Sequence, residues 1–210
     1  MVCDVDRLEN YYKTEAWTWE LMALVRARVI SASPMLSAKL DNLIKSALSR
    51  GKLEVNSLRQ NVLSMRAKVW KERQPSSFWD IKYAKGGLFD LEFLAQYFQL
   101  RYAPEKPAIL DPNTSDALEK LGDAKILASR VVQELKISLK LFLTIQSMVR
   151  ICMSGIFNED EATIGLRNLL ARACDTDDFE MLKKYLLVRQ ESTHEYFQEF
   201  IGDYTIISNT

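Results

Sequence analysis

Apolar residues recur along most of this chain at spacings of three and four, in stretches separated by glycine, proline and short polar runs, a pattern that predicts amphipathic helices rather than strands. Asp6-Arg7-Leu8-Glu9 has the spacing of a capping box, so a first helix is expected from about Asp6 to Val29. Ser33-Pro34 opens a second. The serine oxygen can accept from the orphan amides of the first turn, the proline stands where no amide partner is needed, and Gly51 supplies a left-handed stop. A third helix is expected from about Val55 to Arg73, where Gln74-Pro75 ends it. The segment from Trp79 to Gly87 has no helical period and reads as an extended loop.

A fourth helix follows from about Leu88 to Arg101, and Pro104, Pro107 and Pro112 then force an irregular connection. Asn113-Thr114-Ser115 restarts a short helix ending at Gly122. Asp123 is read as the cap of the longest one, about Ala124 to Met153, which at ~1.5 Å per residue is roughly 45 Å long. Its polar residues Lys125, Ser129, Gln133, Lys136 and Lys140 form a narrow stripe, and Leu127, Val131, Leu135, Phe142, Ile145 and Val149 lie in a wider apolar arc, as in a central bundle helix. Two further helices, about Glu161 to Ala173 and Thr176 to Phe200, precede a tail from Tyr204 that reads as loose. The expected fold is therefore all-α, a helical bundle of seven or eight helices with a long central helix: residues 1–30 a linking arm, 31–202 the bundle and 203–210 the tail.

The first helix has too much apolar surface for a terminal element. Tyr12, Ala16, Trp19, Ala23 and Ile30 fall on one face, and Trp17, Leu21, Leu24 and then Arg28 on another about a third of a turn away. Either the bundle folds around this helix completely, or a packing partner lies outside the bundle.

Composition narrows the function more than the fold. Lys and Arg number 28, and Asp and Glu number 28, so the even charge lacks the electrostatic footprint of a nucleic-acid binder. Cys3, Cys152 and Cys174 are far apart with no CxxC or Cys/His cluster, which suggests neither a disulfide framework nor a zinc site. Acidic residues occupy the region where a signal peptide would be basic and then apolar, and the apolar run from Leu141 stops at Arg150. No membrane association and a cytoplasmic location are expected.

Catalytic constellations are scarce. The single histidine, His194, sits in the charged run Gln190-Glu191-Ser192-Thr193-His194-Glu195 and reads as a surface residue. Asp4 and Asp6 have a D-x-D spacing, but with no strand to present them Asp6 reads as a cap and no metal site is assigned. Gly86-Gly87 is followed by Leu88-Phe89-Asp90 and is no phosphate loop. It does leave the first amides of a helix approachable, beside Lys82 and Lys85 and with Glu92 and Gln96 one turn apart. These polar groups either converge on a site, or Lys82 pairs with Asp90 or Glu92 and fixes the loop.

The same residues carry a family likeness. The run from Asp80-Ile81-Lys82 through Gly86-Gly87-Leu88-Phe89-Asp90-Leu91-Glu92-Phe93 to Gln96-Tyr97 resembles the D-[IL]-K-x-x-x-G-G-[IL]-x-D-[IL]-E-F-x-x-Q signature of bacterial glutamine synthetase adenylyltransferase. Tyr11-Tyr12, Glu15-Ala16-Trp17-Thr18-Trp19-Glu20 and Met22-Ala23-Leu24-Val25-Arg26-Ala27-Arg28 resemble the helix that follows the nucleotidyltransferase core in the C-terminal, adenylylating half of that enzyme. The likeness extends from about Asp6 to Ile201, its last hundred residues matching mainly in helical pattern.

The resemblance implies a helical domain supporting transfer of AMP from ATP to a tyrosine of glutamine synthetase in nitrogen regulation. ATP and Mg²⁺ would belong to the catalytic core, and none is expected on this chain alone. The implied partners are glutamine synthetase, the core of the parent enzyme and the PII signal protein. The family's catalytic acids, a G-S and D-x-D segment, have no equivalent in this sequence, so no catalytic residue is assigned. Lys82, Gly86, Gly87, Asp90, Glu92 and Gln96 become candidates for the cleft or substrate, and Trp17, Trp19, Arg26 and Arg28 for the seam with the core. The alternative is a stand-alone helical protein-binding or regulatory module.

Overall fold

The computed structural model describes residues 4–49, 54–153 and 157–207. Among them there is no strand, and the helices run in the order α1 (Val5–Thr14), α2 (Thr18–Val25), α3 (Pro34–Leu48), α4 (Val55–Glu72), α5 (Leu88–Tyr102), a 3-10 turn (Pro107–Ile109), α6 (Thr114–Asp123), α7 (Ser129–Cys152), α8 (Ile164–Ala173), α9 (Phe179–Phe200) and α10 (Tyr204–Ile207). The fold is all-α, as expected. None of these helices is long and apolar enough to cross a membrane. Gly51, the expected stop of α3, lies outside the described residues.

The chain divides into two compact units, Met1–Met65 with Phe93–Val132 and Arg66–Glu92 with Gln133–Thr210. In the first unit the expected single N-terminal helix is two. The amides of Glu15 and Ala16 both bond to the Tyr11 carbonyl, and Trp17 then turns extended (φ −79°, ψ 160°) as the cap of α2. Glu20 holds this joint: one carboxylate oxygen accepts the Trp17 amide at 2.9 Å and the other the Tyr11 hydroxyl, a bond that pushes the phenol up to about 12. The cap of α1 is Asp4, accepting the Asp6 amide at 3.1 Å, while Asp6 pairs instead with Lys39 at 2.6 Å. Ser33 caps α3 through the Leu36 amide, with Pro34 at the first helical position, as its sequence predicts.

Around the prolines the same unit is fixed by side chains. The Gln99 carboxamide oxygen accepts the Asp111 amide at 2.8 Å, and the Asp111 carboxylate pairs with Lys120 at 2.9 Å. The expected cap Asp123 instead closes α6. Lys125 then adopts φ +57°, which breaks the helix, and α7 starts only at Ser129, shortening the spine to roughly 36 Å.

The second unit is built on aromatic packing. The Trp79 indole stacks on Phe179 (5.2 Å, 14°) and meets Phe157 edge-on at 4.9 Å. Its N–H donates to Glu159 at 2.7 Å. Glu159 also pairs with Lys183, and these two bonds hold its carboxyl below the usual range. Arg189 on α9 donates to the Glu134 carbonyl and the Ser138 hydroxyl of α7, at 2.7 and 3.0 Å. Asp178 caps α9 through the Met181 amide. The expected loose tail is not loose at its start: Tyr204, the first residue of α10, is fully buried.

Candidate functional site

The glycine pair and its neighbours fall within the second unit. From Ser77 to Leu88 the chain closes on itself through successive turns, with the Tyr83 and Ala84 amides bonded to the Asp80 carbonyl and the Leu88 amide reaching back to Ile81 at 2.8 Å. An extended loop was the expectation. The hydrogen bonds explain the coil: a segment without helical period still has to satisfy its amides once buried, and it does so locally.

Gly86 sits at φ +68°, and a Cβ there would stand 1.7 Å from the Gln190 carbonyl oxygen of α9. The backbone of α9 therefore rests directly on the turn, which only glycine permits. Gln190 adds a second tie, its carboxamide donating to the Phe78 carbonyl at 2.8 Å. At Gly87 a Cβ would meet the Ile81 carbonyl at 2.4 Å.

Under the turn lies a buried polar network centred on Asp90. One carboxylate oxygen accepts the Gly86 amide at 2.7 Å and the Tyr204 hydroxyl at 2.8 Å, and the other accepts Nε of Arg66. Arg66 Nη2 donates to the Tyr83 carbonyl at 3.1 Å and the Tyr204 oxygen at 3.2 Å, and its guanidinium lies 4.2 Å above the Tyr204 ring. Arg66 and Asp90 are both wholly enclosed, an ion pair whose desolvation is offset by several hydrogen bonds. Burial, then the Asp90 carboxylate, pushes the Tyr204 phenol well above its ordinary range. His194 completes the cluster, edge-on to Tyr204, with Nδ1 3.6 Å from Asp90.

The candidate residues are therefore sorted by accessibility. Asp90 is saturated and inaccessible, so its expected place at a cleft is corrected: it anchors the turn from below and pairs with Arg66, not with Lys82. Glu92 and Gln96 are buried one turn apart on α5. Lys82 is half-buried, its ammonium 5.1 Å from the rings of both Tyr83 and Phe89. In the first unit Trp17 and Trp19 stand 69% and 51% exposed, and Arg26 and Arg28 are exposed too.

His194 is the second correction, at 1% exposure rather than on the surface. The charged run hid its phase: Leu182, Leu186, Gln190, Thr193, His194 and Phe197 fall on the buried stripe of α9. Arg66 was missed for the same reason, although it stands four residues after Val62 and eight after Leu58 on the buried stripe of α4. Chemically the arrangement is a scaffold. Its acid is occupied, its imidazole is enclosed, and among the described residues no group of three His, Cys, Asp or Glu is placed to hold a metal ion.

Comparison with known proteins gives two family matches in succession. Residues 1–43 match the model for glutamate-ammonia ligase adenylyltransferase, and residues 56–201 the model for GlnD PII-uridylyltransferase. The chain is 35% identical over 198 residues to a bifunctional glutamine synthetase adenylyltransferase/adenylyl-removing enzyme of Rhodopseudomonas palustris, covering 94% of this chain and 20% of that protein. Proteins of the same description from Bradyrhizobium sp. (36% over 199 residues; 95% and 20%) and Agrobacterium fabrum (38% over 181 residues; 85% and 18%) are similar to it as well. The chain thus spans about a fifth of the length of the curated relatives it matches.

Proposed function

Because the chain belongs to the glutamine synthetase adenylyltransferase family, we propose that it is a helical domain of such an enzyme and serves the transfer of AMP from ATP to a tyrosine of glutamine synthetase by position rather than by chemistry. The observation that carries this reading is the pair of indoles at the start of the chain, Trp17 and Trp19, both more than half exposed in a helix whose other face is buried through Leu21, Met22, Leu24 and Val25. A nucleotidyltransferase core covering them, with Arg26 and Arg28 at the rim, would remove that apolar surface from water. The rival reading, a stand-alone binding module with its apolar surface accounted for, gives the indoles no role.

In this reading the buried network beneath Gly86 keeps the turn rigid, so that Lys82 is offered to the cleft from a fixed backbone, while Asp90 supports it from within. ATP and Mg²⁺ belong to the core. Among the described residues no group of three His, Cys, Asp or Glu is placed to hold the metal ion. Glutamine synthetase is the protein substrate, PII a regulatory partner, and the cytoplasm the compartment.

The test is to incubate the chain with ATP, Mg²⁺ and glutamine synthetase, alone and after joining it to a family core. No AMP-labelled tyrosine is expected from the chain alone. In the joined protein, Trp17→Ser with Trp19→Ser should lower the rate of labelling while leaving the melting temperature of the isolated chain unchanged. Labelling by the chain alone, or full activity in the joined double variant, would overturn the proposal.

A further inference from the structure

A groove in the second unit, sharing no residue with the glycine turn or the network beneath it, is lined by α7, α9 and the joint of α8 with α9. Its volume of about 520 Å³ lies within the roughly 300–1,000 Å³ of small-molecule sites. Leu141 is buried in its lining, but Ile137 and Met181 stand 46% and 48% exposed, so apolar surface is left open to water inside a concave site. The joint is held in shape without a ligand: Asp175 takes φ +56°, and the amide and hydroxyl of Thr176 both bond to the Ala171 carbonyl, at 3.0 and 3.1 Å. A preformed site spends little of its binding energy on ordering itself.

Its charges cancel. Lys140 and Asp175 oppose each other at 3.7 Å, and both are so exposed that water screens them. Burial, then Asp175, pushes the Cys174 thiol up to about 11 against the pull of Lys140, so the groove disfavours an added negative charge. The same desolvation works against an added cation, and the carboxylate of Asp175 is already answered by Lys140. A ligand without net charge is favoured.

Two hydroxyls supply the specific contacts. Thr144 and Tyr185 are half-buried, and among the described residues neither hydroxyl has a hydrogen-bond partner, so each is left to donate or accept. The Tyr185 ring likewise has no aromatic partner. With the Met181 thioether beside it in the lining, it suits the flat face of an aromatic ring. We propose that this groove binds an uncharged aromatic molecule carrying an amide or hydroxyl group. The ring would cover Ile137, Met181 and the face of Tyr185, and the polar group would pair with the Thr144 and Tyr185 hydroxyls.

Three probes with one ring and different charge test this: phenylacetamide is neutral, phenylacetate an anion and 2-phenylethylamine a cation at neutral pH. Each is titrated into the whole chain, and the methyl resonance of Met181, which lines the groove, is followed by NMR. The amide should shift it with a dissociation constant at least about tenfold below that of either charged probe, the equivalent of one pK unit of the penalty that raises the thiol. Tyr185→Phe together with Thr144→Val removes both hydroxyls at nearly constant volume. That double variant should bind the amide at least about threefold more weakly, within the range of one neutral hydrogen bond, with its far-UV circular dichroism unchanged. The proposal is overturned if no probe shifts Met181 up to about 20 mM, if a charged probe binds as tightly as the amide, or if the double variant binds it undiminished. A shift of Met181 on adding glutamine synthetase, with none from the amide, assigns the groove to a protein contact and overturns it as well.

Discussion

Replacing Asp90 by asparagine tests whether the buried pair supports the glycine turn. The substitution nearly preserves shape, so no cavity term enters, but it leaves the Arg66 guanidinium enclosed without a counter-charge. Breaking a buried pair from one side costs about 3–5 kcal/mol. For a chain of this size each kcal/mol moves the melting midpoint by ~2–4 °C, so a fall of roughly 6–20 °C is expected. Tyr204→Phe removes only the hydroxyl that bridges both partners and should cost about 1.5–3 kcal/mol, the worth of a hydrogen bond to a charge. Urea unfolding followed by far-UV circular dichroism measures both. Arg66→Met in the Asp90→Asn background should cost less than the two single losses added, with a coupling of about 1–3 kcal/mol. If Asp90→Asn stays within ~1 kcal/mol of the parent, or the double variant is simply additive, the network does not hold the turn.

Other outcomes follow from single contacts. Gly86→Ala must push α9 off the turn and should destabilise by more than ~4 kcal/mol, visible as lost soluble yield or a lower midpoint. The carboxyl of Glu159 is depressed in the folded state by Lys183 and the Trp79 N–H, so its contribution is present above the ordinary glutamate pKa of about 4.3 and fades as pH falls through the lower folded value. Thermal melts between neutral and strongly acidic pH should therefore show a shallower acid loss in Glu159→Gln. Burial, then Asp175, raises the Cys174 thiol to about 11, whereas Cys152 is exposed; a thiol reagent at mildly alkaline pH should label Cys152 well before Cys174 by peptide mass mapping.

Most helices were legible because their signals are local. Ser33-Pro34 and the prolines after α5 punctuate the chain through backbone geometry that any neighbourhood would respect. The break at Trp17 was not legible: α2 resumes after three residues, and what makes the joint is Glu20 reaching to two separate groups, which spacing alone does not reveal. The turn was found by its glycines, yet its support was not. Arg66, His194 and Tyr204 look like ordinary polar or tail residues until their helices are phased, and three distant stretches of sequence meet only in the fold. The reading of Asp90 as cleft-facing failed for that reason, since its true partner lies on another helix.

The span between Asp90 and Tyr204 has a bearing on synthesis. A ribosome delivers Arg66 and Asp90 early and Tyr204 114 residues after Asp90, so the salt link is born without its hydroxyl lid and sits within reach of water throughout that interval. Completion of this unit is thereby deferred until the α10 segment leaves the exit tunnel, and nascent chains stalled short of it should be markedly easier prey for proteases than those in which it has emerged.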